Sequence, residues 1–182
     1  DKANRWAVEA FASLPRGSCE KLRHRIEHAQ LLPPGLERQM AGLGLFATTL
    51  PPHLPFDIVP ALKHWGKERS KGLHVLRSMV EAGVKIALTS DAPVAPFSPI
   101  SSLHIALFRL GLDGQVFLPQ ECLTPHQALL ALTKTPAQML FGEKHWGEIK
   151  VGMSADLVLL SHNPLTMKVD TPIKVRATLF AG

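Results

Sequence analysis

The 182-residue sequence predicts an α/β fold built on parallel strands. Segments of helical period alternate with short β-rich runs from Lys2 to Gly142, and short connections between unlike elements favour parallel strands covered by crossover helices. Beyond Gly142 the helical period is lost, and only short β-rich runs separated by Gly, Ser, Asn and Pro remain. A soft boundary is therefore expected near Gly142, with a small β unit behind it.

The elements follow in order. Trp6, Ala7, Ala10, Phe11 and Leu14 recur at helical spacing between Lys2 and Leu14, and Pro15 with Gly17 ends the pattern. Leu22 to Ala29 alternates, which predicts a strand with Leu22, His24, Ile26 and His28 on one face and Arg23, Arg25 and Glu27 on the other. A short helix is expected near Leu36 to Ala41 and a second strand at Leu43 to Thr49, followed by a Pro-rich loop from Pro51 to Pro60. Lys67 to Ala82 reads as the clearest helix, stopped by Gly83, and Val84 to Ser90 as the third strand. A further helix is predicted near Ile100 to Leu110. Capping boxes at Thr124–Gln127 and Thr135–Gln138 predict two more. The late β-rich runs are Trp146 to Val151, Ala155 to Ser161 and Lys174 to Phe180.

Composition narrows the function classes. With 46% apolar and 19% charged residues the chain suits one ordinary core. The net charge of +5 is scattered, and the absence of Tyr leaves few stacking platforms, so no nucleic-acid partner is expected. Cys19 and Cys122 are isolated, as buried thiols in a reducing compartment would be, and no run of 18 apolar residues occurs. A cytoplasmic protein with no membrane partner is the expectation.

Chemistry concentrates at strand ends. His28 and Asp91 each close a predicted strand at its C-terminal end, where parallel α/β folds gather functional side chains. Lys85, Ala87 and Thr89 share the Asp91 face, so small side chains beneath the carboxylate leave room for a metal, water or carbonyl group. Imidazole nitrogen and carboxylate oxygen suit a divalent metal such as zinc, which activates water for hydrolysis. Asp91 is placed to carry the proton from that water to a leaving amine. His53, after the second strand, is a candidate substrate or oxyanion contact. Each also has an ordinary reading: a hydrogen-bonded structural His, a Ser-Asp-x-Pro turn, a solvated loop His. His24 is expected to be a core histidine, Arg25 and Glu27 to pair, and His64, His74, His104, His126, His145 and His162 to serve surface or packing roles. A metal-free serine hydrolase using Ser90 or Ser18 is disfavoured, since neither lies in a Gly-x-Ser-x-Gly elbow.

Three segments together resemble one family: Arg-His-Arg-Ile-Glu-His-Ala-Gln (Arg23 to Gln30), Thr-Ser-Asp-Ala-Pro-Val (Thr89 to Val94) and Gly-Glu-Ile-x-x-Gly-x-x-Ala-Asp-Leu-Val-x-Leu (Gly147 to Leu160). Glu68-Arg69 and Leu123-Thr124 match between them. The chain resembles the amidohydrolase superfamily, and within it the amidohydrolase 3 group of YtcJ-like metal-dependent hydrolases. Leu50 departs from the Gln often found there, and Thr89 from the usual Gly.

The resemblance implies the C-terminal part of a TIM-like (β/α)8 barrel, about strands six to eight, in residues 1–142, and the C-terminal part of a composite β-sandwich in residues 143–182. His28 then matches the metal-binding His of the sixth strand and Asp91 the catalytic Asp of the eighth. The other ligands of such a centre would precede Asp1. The implied function is metal-dependent hydrolysis of an amide, formamide or N-acyl C–N bond in a small molecule, with no turnover by the 182 residues alone. The alternative is an inactive remnant serving as a structural or interaction module.

Overall fold

A computed structural model describes residues 1–182. Helix α1 (Lys2–Ala12) is capped by the Asp1 carboxylate, which also takes two 2.8 Å hydrogen bonds from Arg69. There follow α2 (Ser18–Leu22), β1 (Arg25–Ile26), α3 (Leu36–Gly42), β2 (Phe46–Thr49), α4 (Leu54–Ser70, kinked at Gly66), α5 (Leu76–Ala82) and β3 (Lys85–Leu88). The chain continues through α6 (Pro99–Phe108), α7 (Pro125–Leu132), α8 (Lys134–Met139), β4 (Leu157–Leu160) and β5 (Val175–Leu179). No helix is long and apolar enough to cross a membrane.

Strands β1, β2 and β3 form a parallel sheet in that order, with Ile26 opposite Ala47 and Ala47 opposite Ile86. The alternation of a strand decides what each face meets. Ile26, Ala47, Val84, Ile86 and Leu88 enter the main core with Val8, Met40, Met79, Leu103 and Ala128 from the helices. Arg25, Glu27, Thr48, Lys85 and Ala87 take the other face, where Phe46 and Ala87 pack on Met139. β4 and β5 pair antiparallel as a separate two-stranded sheet. Met167, between them, packs back into the main core.

The parallel sheet, the α3 region, α6 and the Thr124 capping box follow the sequence pattern. Five expectations do not hold. The first strand shrinks to Arg25–Ile26, because Leu22 ends α2 and His28 and Ala29 turn to φ 69° and 42°. Pro51 to Pro60 is a 3-10 turn and the start of α4, not a loop, since proline suits the first helical turn. The expected helix Lys67 to Ala82 is cut at residues 71–75. There the Leu32 N–H donates to the Gly72 carbonyl at 3.0 Å, and Leu73 bridges Leu31. A Cβ at Gly72 would stand 2.2 Å from the Leu32 oxygen, so only glycine allows this approach. Finally, Trp146 to Val151 is a turn rather than a strand, with Trp146 lying across Gly142, and α8 starts at Lys134 without the Thr135 cap.

Candidate functional site

The site lies where β1 and β3 end, at the C-terminal edge of the sheet. Beyond Leu88 the Thr89 N–H still bonds the Thr49 carbonyl at 2.9 Å, and the chain then turns at Asp91 with φ 54°. His28 makes a similar turn at the end of β1. Simple alternation would put His28 on the helix side with Ile26. The left-handed backbone instead brings its Nε2 to 3.8 Å from Asp91 Oδ2, across the intervening β2. Positive φ at non-glycine residues costs on the order of 1–3 kcal/mol each, and it persists where surrounding contacts fix it.

Those contacts are visible beneath His28. Its N–H donates to Thr48 Oγ1 at 3.1 Å, and the Thr48 hydroxyl donates to Glu27, which also accepts from Arg25. Burial alone would raise the Glu27 carboxyl pKa, but the hydrogen bonds from Thr48 and Arg25 outweigh it and hold the group below its ordinary value. The expected Arg25–Glu27 pair is thus present. His24 stacks on Phe11 with ring centroids 5.3 Å apart, a packing role reached through ring contact. His53 closes the Pro51–His53 turn and donates from Nε2 to the Ser90 carbonyl at 3.2 Å, one residue before Asp91. All three site residues singled out in the sequence therefore reach one edge of the sheet.

The donor set fits one divalent ion. Nitrogen and oxygen ligands lie about 2.0–2.2 Å from zinc, so two donors of one ion are separated by at most about 4.4 Å. The 3.8 Å between His28 and Asp91 falls inside that limit, and both side chains remain about half exposed, open to a water or substrate. Nowhere in the chain, this site included, do three His, Cys, Asp or Glu side chains gather as a metal site. The structure supplies two donors here and one neighbouring imidazole.

A second His–Asp pair was missed by the sequence reading. His74 is buried, not a surface or packing residue without a partner, and its Nε2 lies 2.9 Å from Asp57 Oδ2. Gln30 donates to the same oxygen at 2.7 Å. Burial pushes the His74 pKa down despite the Asp57 contact, so the ring is neutral, with Nε2–H directed at Asp57 and Nδ1 without a partner. Burial would raise Asp57, yet the bonds from His74 and Gln30 keep its pKa below the usual carboxylate range. Arg109, fully buried, donates to the carbonyls of His74 (2.8 Å), Leu73 (3.2 Å) and Phe117 (2.8 Å), and burial lowers its pKa to about 10. A usable signal existed: once Pro51-Pro52 is read as a helix start, Asp57 falls one turn after His53.

A mixed α/β fold with a parallel sheet, and an imidazole and a carboxylate meeting at its C-terminal edge, is an arrangement compatible with a metal-binding site. Comparison with known proteins narrows this. Residues 1–182 match the amidohydrolase family (Amidohydro_3) over their whole length, and the chain belongs to that family. Protein LONG AFTER FAR-RED 3 of Arabidopsis thaliana is 32% identical over 186 residues, covering 100% of this chain and 32% of that protein. The N-substituted formamide deformylase of Arthrobacter pascens is 30% identical, covering 87% of this chain and 29% of its own length. Among solved structures, an uncharacterized metal-dependent hydrolase from Pyrococcus furiosus superposes with a TM-score of 0.74 at 25% identity, over 91% of this chain and 32% of that one. The chain thus spans about a third of the length of these relatives.

Proposed function

We propose that this chain is the C-terminal part of an amidohydrolase, with residues 1–142 supplying about strands six to eight of a (β/α)8 barrel and residues 143–182 part of a composite β-sandwich. The whole protein hydrolyses a C–N bond of a small amide, formamide or N-acyl substrate. The observation that carries this reading is the 3.8 Å approach of His28 Nε2 and Asp91 Oδ2 at the C-terminal edge of a parallel sheet. The formamide deformylase among the relatives supports the bond class.

In this reading His28 and Asp91 hold a divalent metal, zinc by the borderline N/O donor set. A metal bound between them would supply a water acidified toward neutral pH and a Lewis acid for the substrate carbonyl. Asp91, half exposed beside that position, takes the proton of the attacking water and passes it to the leaving nitrogen. His53, braced on the Ser90 carbonyl, is the substrate-side residue of the three. Two donors are fewer than a catalytic zinc requires, so the remaining ligands come from the part of the family fold that this chain does not match. The 182 residues alone accordingly bind metal weakly and turn nothing over.

The test compares the gene product at its full encoded length with this chain alone, on N-formyl and N-acyl amines, before and after chelation. The expected result is turnover by the longer protein, lost on chelation and restored by zinc, and none by the chain alone. Turnover that survives exhaustive chelation overturns the metal reading. Turnover by the 182 residues overturns the account of the missing donors.

A further inference from the structure

We infer that Asp57 is a positioning residue for this site: with Gln30, His74 and Arg109 it forms a clamp that holds the turn after β1 so that His28 Nε2 faces Asp91. The inference rests on the metal reading above and extends it to residues that touch neither donor.

The turn needs an external hold. His28 and Ala29 sit at φ 69° and 42°; histidine visits the left-handed region more readily than most residues, but alanine has no side chain that favours it. Thr48 Oγ1 fixes the start of the turn by accepting the His28 N–H. The far end is fixed against residues 71–75, where the Gln30 carbonyl accepts the His74 N–H at 2.8 Å and the Gly72 carbonyl accepts the Leu32 N–H at 3.0 Å. Asp57 Oδ2 joins the two strips, because it accepts from the Gln30 amide at 2.7 Å and from the His74 ring at 2.9 Å.

Arg109 forms the floor. Its guanidinium holds the Leu73 and His74 carbonyls from below while buried, so residues 73–74 cannot shift without exposing a charge to an unsatisfied interior. Gln30 is two residues from His28, and it is held at both its backbone carbonyl, by the His74 N–H, and its side-chain amide, by Asp57, so the end of the His28 turn is anchored twice. Asp57 also stands one helical turn beyond His53, so a single carboxylate ties together the segments carrying two of the three site residues. Contacts made directly to a metal ligand change metal affinity about 10–100-fold when removed, which sets the upper bound for a clamp one step further out.

The experiment measures zinc affinity by competition with a chromogenic chelator, on the gene product at its full encoded length. The variants are His28→Ala, Asp57→Asn, Gln30→Glu and the double variant Gln30→Glu with Asp57→Asn. Gln30→Glu sets a second carboxylate against Asp57, whereas the double variant restores a donor–acceptor pair between the two positions. The expected result is loss of zinc binding in His28→Ala and affinity weakened by up to about 10–100-fold in Asp57→Asn and Gln30→Glu, with part of the Gln30→Glu loss recovered in the double variant and thermal melting showing all of them folded. If Gln30→Glu unfolds, Asp57→Ala decides, since it removes the one oxygen that joins Gln30 to His74, with affinity corrected for the folded fraction from the melt. Single variants within twofold of wild type, while His28→Ala loses binding, overturn the positioning role and leave the metal reading intact. Zinc loss that only tracks the unfolded fraction does the same. Equal affinity of wild type and His28→Ala overturns both.

Discussion

His28–Asp91 and His74–Asp57 are the same two functional groups brought together twice in one chain, with opposite consequences. The first pair is loose, at 3.8 Å, and about half exposed on both sides. The second is tight, at 2.9 Å, with the imidazole buried and the shared carboxylate oxygen also bonded by Gln30. An imidazole and a carboxylate already bonded to each other, with the ring buried, have less left to offer a ligand. A pair held apart and open to solvent retains lone pairs directed at a common point. Chemical potential at the sheet edge thus comes from leaving the bond unmade, and rigidity beneath it from completing one.

The contrast can be broken by substitution, and the largest effect is expected at the open pair. Asp91→Asn in the full-length gene product should lower kcat by about 10²–10⁴-fold while the melting temperature stays near wild type, because an exposed side chain leaves no buried group stranded. Steady-state kinetics beside thermal melting checks this, and a stability loss that matches the loss of rate would erase the distinction between the pairs. His74→Ala should act the other way round, costing about 2–3 kcal/mol by removing a hydrogen bond to a charged group, as measured by urea unfolding at neutral pH.

The closed pair should also show in the pH dependence of stability. Folded His74 has its pKa pushed below the ordinary value of about 6.5, with burial as the main cause and Arg109 and His53 adding to it against Asp57. The unfolded chain therefore takes up a proton that the folded protein refuses, and this contribution, complete above the ordinary value, is lost as pH falls below it. Folded Asp57 is likewise depressed, so its contribution is lost further down, as pH falls through the carboxylate range. His74→Ala should flatten the fall in urea midpoint between about pH 7 and pH 5. An unchanged fall would show that other groups carry it. The smallest effect is expected at the exposed Arg25–Glu27 pair, where Arg25→Ala should cost about 0–1 kcal/mol in the same assay.

Much of this architecture was legible in the chain. The alternation of Val84, Ile86 and Leu88 with Lys85 and Ala87 foretold which face of β3 meets the helices. Thr124, Pro125 and Gln127 foretold a capped helix because those contacts are local. His28, Asp91 and His53 could be singled out because each follows a β-rich run. The failures share one cause: contacts distant in sequence overrode local pattern. Leu73, Leu76 and Met79 keep helical spacing across Lys71–Val75, yet that segment leaves the helix to bond residues 30–32. Likewise His74 looked unremarkable because its partner stands 17 residues upstream, in what read as a loop.

By itself the sequence determined the three parallel strands, the capped helix at Thr124 and the family to which the chain belongs, since periodicity, caps and short motifs are written in neighbouring residues. Tertiary structure alone decided that His28 crosses from the helix side to meet Asp91, and that Asp57 collects Gln30 and His74 beneath it. A backbone turned to positive φ without glycine is a cost that no local signal announces, and it is met by hydrogen bonds arriving from elsewhere in the fold.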